Sequence, residues 1–168
     1  MITTSTATSR PGWWLPARDH ILPVPGVLPL SGAASTGAGH GIAGPLGFLS
    51  LAHLEFPPVS GQPEAITAAA HWLLAWAEPG PSWPPYVSSD DLLQAPNPAQ
   101  LAVAPGRRDA WCYGAPGVAA ALHHAGRALG DPSLTRQARK TLDALAARPA
   151  ETWDTTGPGL CHGTAGVL

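Results

Sequence analysis

His40-Gly41-Ile42-Ala43-Gly44, Tyr113-Gly114-Ala115-Pro116-Gly117 and His162-Gly163-Thr164-Ala165-Gly166 decide the fold. Each places a polar residue before Gly-x-x-Gly, and each stands where an apolar helical run begins. A helical hairpin that recurs in this way builds a solenoid or a closed α/α ring, because each hairpin leaves an apolar face that only a neighbour can cover. Glycines at the helix starts let the backbones crowd together. The residue before each Gly-x-x-Gly then occupies an equivalent place in each repeat. In a closed ring those places face a common centre, which gathers His40, Tyr113 and His162 with the neighbouring Cys112 and Cys161.

Working outward, the first helix begins near Gly41. Ile42, Leu46, Leu49 and Leu54 recur at helical spacing, and Phe48 and Leu51 widen the apolar face. Pro45 falls in the first turn, where its missing N–H costs little, and Pro57-Pro58 stops the helix. A second helix is expected over about 63–77, with Ile66, Ala69, Ala70, Leu73, Leu74 and Ala77 on one side and Pro79-Gly80-Pro81 at its end. Residues 79–110 read as a long proline-rich connection whose apolar residues are Trp83, Tyr86, Leu92, Leu93 and Leu101; loops of this length are functional or disordered. A third helix starts near Gly114 and stops at Gly130. Asp131-Pro132 forms the cap and first turn of a fourth, about 132–147, with Leu134, Ala138, Leu142 and Leu145 inward. A fifth begins at Gly163. No strand pattern is present, so the expected class is all-α. Residues 1–38 read as irregular, because Pro11, Pro16, Pro23, Pro25 and Pro29 arrive too often for a helix. Trp13 and Trp14 are its large anchors.

Bulk composition narrows the function. The 168 residues suffice for one domain with a buried core. Charged residues make up 12%, with Lys+Arg 9 against Asp+Glu 11, so there is no basic face for nucleic acid. The Thr/Ser-rich Met1 to Arg10 lacks the apolar run of a signal peptide. No stretch approaches the ~20 apolar residues that span a bilayer. The expected setting is cytoplasmic. Both cysteines, Cys112 and Cys161, lie in the Gly-x-x-Gly regions.

Cys112, Cys161 and His162 form a Cys/Cys/His set. Zinc accepts such ligands, and catalytic sites use three protein ligands and leave the fourth position open. The spacing is not that of a zinc finger, and two buried free cysteines or one disulfide fit the same residues. His40 reads equally as a helix-start residue that caps or packs, Tyr113 as core, and Arg107-Arg108 as a solvated pair. His53, His123 and His124 sit among apolar helix residues and read as core or surface rather than ligands.

Three motifs together resemble the lanthionine synthetase C (LanC-like) cyclases. They are Gly39-His40-Gly41-Ile42-Ala43-Gly44-Pro45-Leu46, Arg108-Asp109-Ala110-Trp111-Cys112-Tyr113-Gly114 and Leu160-Cys161-His162-Gly163-Thr164-Ala165-Gly166. The resemblance covers roughly Trp13 to the C-terminus, including the Trp-Pro-rich loop around Trp83-Pro84. It implies an α/α toroid with central Zn2+ on Cys112, Cys161 and His162. It also implies a Michael-type addition in which a cysteine thiol of a dehydrated precursor peptide attacks dehydroalanine or dehydrobutyrine to form a thioether ring. His40 then carries the general acid/base role, and Arg108 and Tyr113 shape the enolate or substrate environment. Gly39 stands where the family usually has Ala, and the family's catalytic aspartate has no counterpart here. Family members are more than twice as long, so residues 39–168 are expected to form an incomplete toroid, a central portion. Its partners would be a dehydratase or a complementary toroid fragment. A non-catalytic remnant that holds zinc or a thiol peptide is the other reading.

Overall fold

A computed structural model describes residues 10–20, 28–78, 80, 82–94 and 108–168. The expectations placed on residues 1–9, Pro23, Pro25, Pro79, Pro81, Leu101 and Arg107 lie outside these. The described chain is mainly helical. It contains α1 (Ala43–Glu55), α2 (Gln62–Ala75), a short α3 (Ser89–Leu93), α4 (Ala115–Leu129) and α5 (Pro132–Ala146).

Local chemistry sets the ends of the two best-defined helices. Gly114 precedes α4 at φ 148, Pro116 falls in its first turn, and Gly130 ends it in the left-handed conformation at φ 64. The Asp131 side chain caps α5 by accepting the Ser133 N–H at 2.8 Å, and Pro132 opens the first turn. The connection between them is short, so α4 and α5 pack as an antiparallel hairpin.

The α4 helix is the hub. Its buried Val118, Ala119, Leu122 and Ala125 meet Ile42 and Leu46 near and within α1, Ile66, Ala69 and Leu73 of α2, and Leu134 and Ala138 of α5. Fully burying a Leu or Ile contributes about 1.5–3 kcal/mol each. Alanines at Ala119, Ala121 and Ala125 keep the helices close. The main core is therefore an interlocked layer with α4 in its middle, and a smaller cluster of Ala34, Trp76, Val87 and Leu92 lies at the sheet.

Four expectations are corrected. Three short strands exist: β1 (Trp14–Leu15), β2 (Ala33–Ser35) and β3 (Tyr86–Ser88) form an antiparallel sheet in the order β1-β2-β3. The segment read as irregular thus supplies two strands. Its Trp13 ring packs edge-on against Trp72 of α2 at 5.0 Å, and the Trp14 indole N–H donates to Ser89 Oγ at 3.0 Å. The strands escaped detection because two or three residues are too few to show alternation. The long connection also carries structure, namely β3, α3 and the buried Trp83, whose indole donates to the Leu73 carbonyl at 2.8 Å. On the helix faces, Phe48, Leu51 and Leu54 of α1 and Leu142 of α5 are exposed, Phe48 by 71%. The described helices leave those faces without a neighbour. Finally, the segment after Gly163 is one 3₁₀ turn, Thr164–Gly166, rather than a fifth α-helix.

Candidate metal centre

The three Gly-x-x-Gly stretches share one loop geometry. A methyl group on the first glycine of each would strike the carbonyl oxygen six residues upstream: Ser35 for Gly41, Arg108 for Gly114, Gly157 for Gly163. The second glycine repeats the relation, with Ala38 for Gly44, Trp111 for Gly117 and Leu160 for Gly166. All six approaches are 2.6 Å or closer, a distance that no real side chain tolerates. Each loop therefore curls back on the turn that follows it, the start of α1, the start of α4 or the 3₁₀ turn Thr164–Gly166, and its polar residue comes to the same place in each repeat.

That equivalence brings the motifs together. The Gly39 N–H donates to the Cys112 carbonyl at 3.0 Å, and the Cys112 N–H donates to the Cys161 carbonyl at 3.0 Å. The Cys112 and Cys161 sulfurs and a His162 ring nitrogen all lie within 4.8 Å of one another. Both cysteines are free thiols, so no disulfide competes for them. Cys112 is half-buried, while Cys161 and His162 are exposed. Burial, reinforced by the adjacent Cys161 thiol, pushes the Cys112 thiol above its ordinary value. A thiol held protonated in this way becomes a ligand once a cation replaces the proton.

The donor set fits a metal ion. Bond lengths of about 2.3 Å to sulfur and 2.0–2.1 Å to nitrogen put tetrahedral donors roughly 3.3–3.8 Å apart. The donor atoms here are at most 4.8 Å apart. Two soft sulfurs and an imidazole suit zinc or a similar ion better than calcium or magnesium. Among the described residues no other group of three metal-ligating side chains comes together. His53, His123 and His124 are half-buried on α1 and α4 and take no part.

The other motif residues surround this cluster unequally. His40 is exposed, and its ring lies tilted on Tyr113 with centroids 6.1 Å apart. The Tyr113 ring also lies tilted against Tyr86 from β3, with centroids 6.0 Å apart. Burial above all raises the Tyr113 phenol far above its ordinary value; the neighbouring Tyr86 adds to this and a hydrogen bond with Ser35 opposes it. Tyr113 is thus a protonated donor at neutral pH. Arg108 turns to the other loop: its guanidinium donates to Thr156 Oγ1 at 2.6 Å and pairs with Asp154 at 3.8 Å. Thr156 in turn donates its N–H to the His162 carbonyl at 2.6 Å. Arg108 therefore braces the loop that carries Cys161 and His162.

Sequence reasoning missed Tyr86 and Ser35 behind Tyr113, and the Asp109, Arg148 and Asp154 cluster between the loops. Tyr86 had a usable signal, since it follows the Trp83-Pro84-Pro85 run. That run is held on the first glycine loop, where Thr36 Oγ1 donates to the Pro84 carbonyl at 2.7 Å and Ser35 Oγ to the Pro85 carbonyl at 3.2 Å. Arg148 had no signal, because it lies in an unremarkable stretch after α5.

Comparison with known proteins follows the same outline. A family model described as lanthionine synthetase C-like protein matches residues 29–168. Among solved structures, nisin cyclase matches with a TM-score of 0.73 at 24% identity, a likeness of fold. The match covers 82% of this chain and 33% of nisin cyclase, so the chain spans about a third of that protein's length. No curated protein sequence matches.

Proposed function

The chain belongs to the lanthionine synthetase C-like family, and on that premise we propose that it carries the zinc-binding half-site of a lanthionine-forming cyclase. The observation that carries this reading is the convergence of Cys112, Cys161 and His162 within 4.8 Å, beside the His40–Tyr113 ring pair.

Cys112, Cys161 and His162 would hold Zn2+, which when bound supplies deprotonation of an incoming thiol at neutral pH. The exposed Cys161 and His162 leave that thiol an open approach from solvent. In the addition itself, the sulfur lone pair forms a bond to the alkene carbon of dehydroalanine or dehydrobutyrine. The alkene π electrons move toward the adjacent carbonyl as an enolate. The enolate carbon then takes a proton, and His40 stands as its donor, exposed to substrate and backed by Tyr113. Tyr113 keeps its own proton, and so offers a hydrogen bond to the enolate oxygen rather than a competing charge. Arg108 acts through the loop it braces.

The substrate is a dehydrated, cysteine-containing precursor peptide. A dehydratase must act earlier, since the alkene has to exist before the thiol can add. Two free cysteines suit a cytoplasmic setting, where thiols stay reduced. Among the described helices none is long and apolar enough to cross a membrane. The exposed Phe48, Leu51, Phe56 and Val59 around α1 favour a further reading, in which a complementary toroid fragment covers this face.

Incubation with a dehydrated peptide, with and without zinc, tests the function. Loss of free thiol at unchanged peptide mass, dependent on zinc and abolished by Cys112→Ala, is the expected result. Stoichiometric zinc without ring formation would favour the non-catalytic binding reading. A protein that takes up no zinc would sink the cyclase reading and leave only the binding of a thiol peptide.

A further inference from the structure

We propose that Asp109 and Arg148 form a clamp that sets the separation of Cys112 and Cys161, acting as positioning residues for the metal centre rather than as ligands. The inference rests on the metal reading above for its purpose, but not for its geometry.

Cys112 lies on the loop before α4, and Cys161 on the loop that follows α5. Little apolar contact holds the second loop: Cys161, His162 and Leu160 are exposed. Its position must come from polar links. Near the sulfurs there is one, the Cys112 N–H to the Cys161 carbonyl. The others come from Arg108, which reaches Thr156 and Asp154, and from Asp109, which gathers the larger set. Arg148 grips its carboxylate with two nitrogens, at 3.0 Å to Oδ1 and 2.7 Å to Oδ2. The Asp154 N–H adds a third donor to Oδ2 at 2.9 Å, and the Asp109 N–H returns a bond to the Asp154 carbonyl at 3.3 Å. Arg148 also donates to the Thr152 carbonyl at 2.9 Å, which fixes the start of the second loop.

The Asp109 side chain is 13% exposed, against 63% for Asp143 in the surface pair Arg139–Asp143. That difference decides the weight of each. An exposed pair contributes little because water and salt screen it. A shielded carboxylate with a forked arginine and a backbone donor is held in one orientation. Asp109 is three residues from Cys112, so its orientation is passed directly to the loop that presents the sulfur. Partners that hydrogen-bond a ligand directly change metal affinity by about 10–100-fold when removed; Asp109 acts through the backbone, so a loss at the low end of that range is expected.

The test uses the whole chain, with two readouts. One is zinc affinity from chelator competition. The other needs no metal: the equilibrium of the Cys112–Cys161 disulfide in a glutathione buffer, in which each bond formed reduces one oxidised glutathione to two thiols. It reports the effective concentration of one sulfur at the other. Asp109→Asn is expected to weaken zinc binding by about tenfold or more and to lower the effective thiol concentration by a similar factor, with the helical circular dichroism unchanged. Arg148→Lys keeps the charge but loses the fork, and should give a smaller loss in both, about threefold or more. Asp143→Asn should match the parent. Asp109→Asn and Arg148→Lys both within twofold of the parent in the disulfide equilibrium would overturn the clamp. That readout decides even if the parent binds no zinc, in which case the metal reading alone fails. If Asp109→Asn loses its helical signal, Arg148→Lys decides by itself on the same criterion.

Discussion

The helical layer around α4 and the two cysteine-bearing loops meet at the helix starts, yet different forces hold them. In the layer, Leu46, Ile66, Leu73, Val118, Leu122 and Leu134 are at most 1% exposed, and side-chain volume is what matters. In the loops, Cys161 and His162 are exposed, and the geometry depends on glycines that admit a close carbonyl and on hydrogen bonds to Asp109, Asp154 and Thr156. The layer resists change because a void has no partner atoms on one side. The loops resist change because their backbone has one way to fit. Damage to the first should unfold the protein, and damage to the second should dismantle the site while the fold survives.

The largest effect that would sharpen this contrast is loss of a ligand. Cys161→Ala should weaken zinc binding on the order of a thousandfold, while leaving the unfolding midpoint of the metal-free protein nearly unchanged, because the residue is exposed. Equilibrium dialysis and thermal melting check the two halves. A large fall in the metal-free melting temperature would break the separation of regions.

Next comes the opposite case. Leu122→Ala removes a fully buried side chain from the centre of α4. It should cost about 2–5 kcal/mol in urea unfolding, with zinc affinity kept by the molecules that remain folded.

Gly117→Ala sits on the boundary. Its methyl group would meet the Trp111 carbonyl and, at 2.9 Å, the Ala38 side chain. Overpacking against backbone should cost about 1–3 kcal/mol. Because Trp111 precedes Cys112, zinc affinity should fall as well. Stability loss without any change in zinc affinity would show that the helix start and the sulfur are uncoupled.

The smallest effect is expected at the α5 cap. Hydrogen bonds from Ser133 hold the Asp131 carboxyl below its ordinary value. A depressed carboxyl contributes stability that is present above the unfolded value and is lost as pH falls through the folded one. Asp131→Ala should therefore lower the melting temperature slightly at neutral pH and have less effect in strong acid, with zinc affinity at neutral pH unchanged.

Much of this was legible in the residues. The boundaries of α4 and α5 followed from Gly114, Gly130 and Asp131-Pro132, whose preferences are local. The set Cys112, Cys161 and His162 was identifiable by residue type, and their meeting by the repeated Gly-x-x-Gly. The inward faces of α1 and α5 were read too wide, since periodicity shows which residues share a side but not whether a neighbour covers it. Phe48 and Leu142 are the cases in point. The short strands at 14–15, 33–35 and 86–88 lay below the length at which alternation can be seen.

The sequence by itself determined the helical class, the helix starts and the chemistry available at them, because caps, glycines and ligand types act over a few residues. Only the tertiary structure decided which supporting groups stand around them. It turned Arg108 toward Thr156 and Asp154, and drew Arg148 onto Asp109. Those pairings join residues tens of positions apart, and their geometry depends on how the helices pack rather than on any local preference.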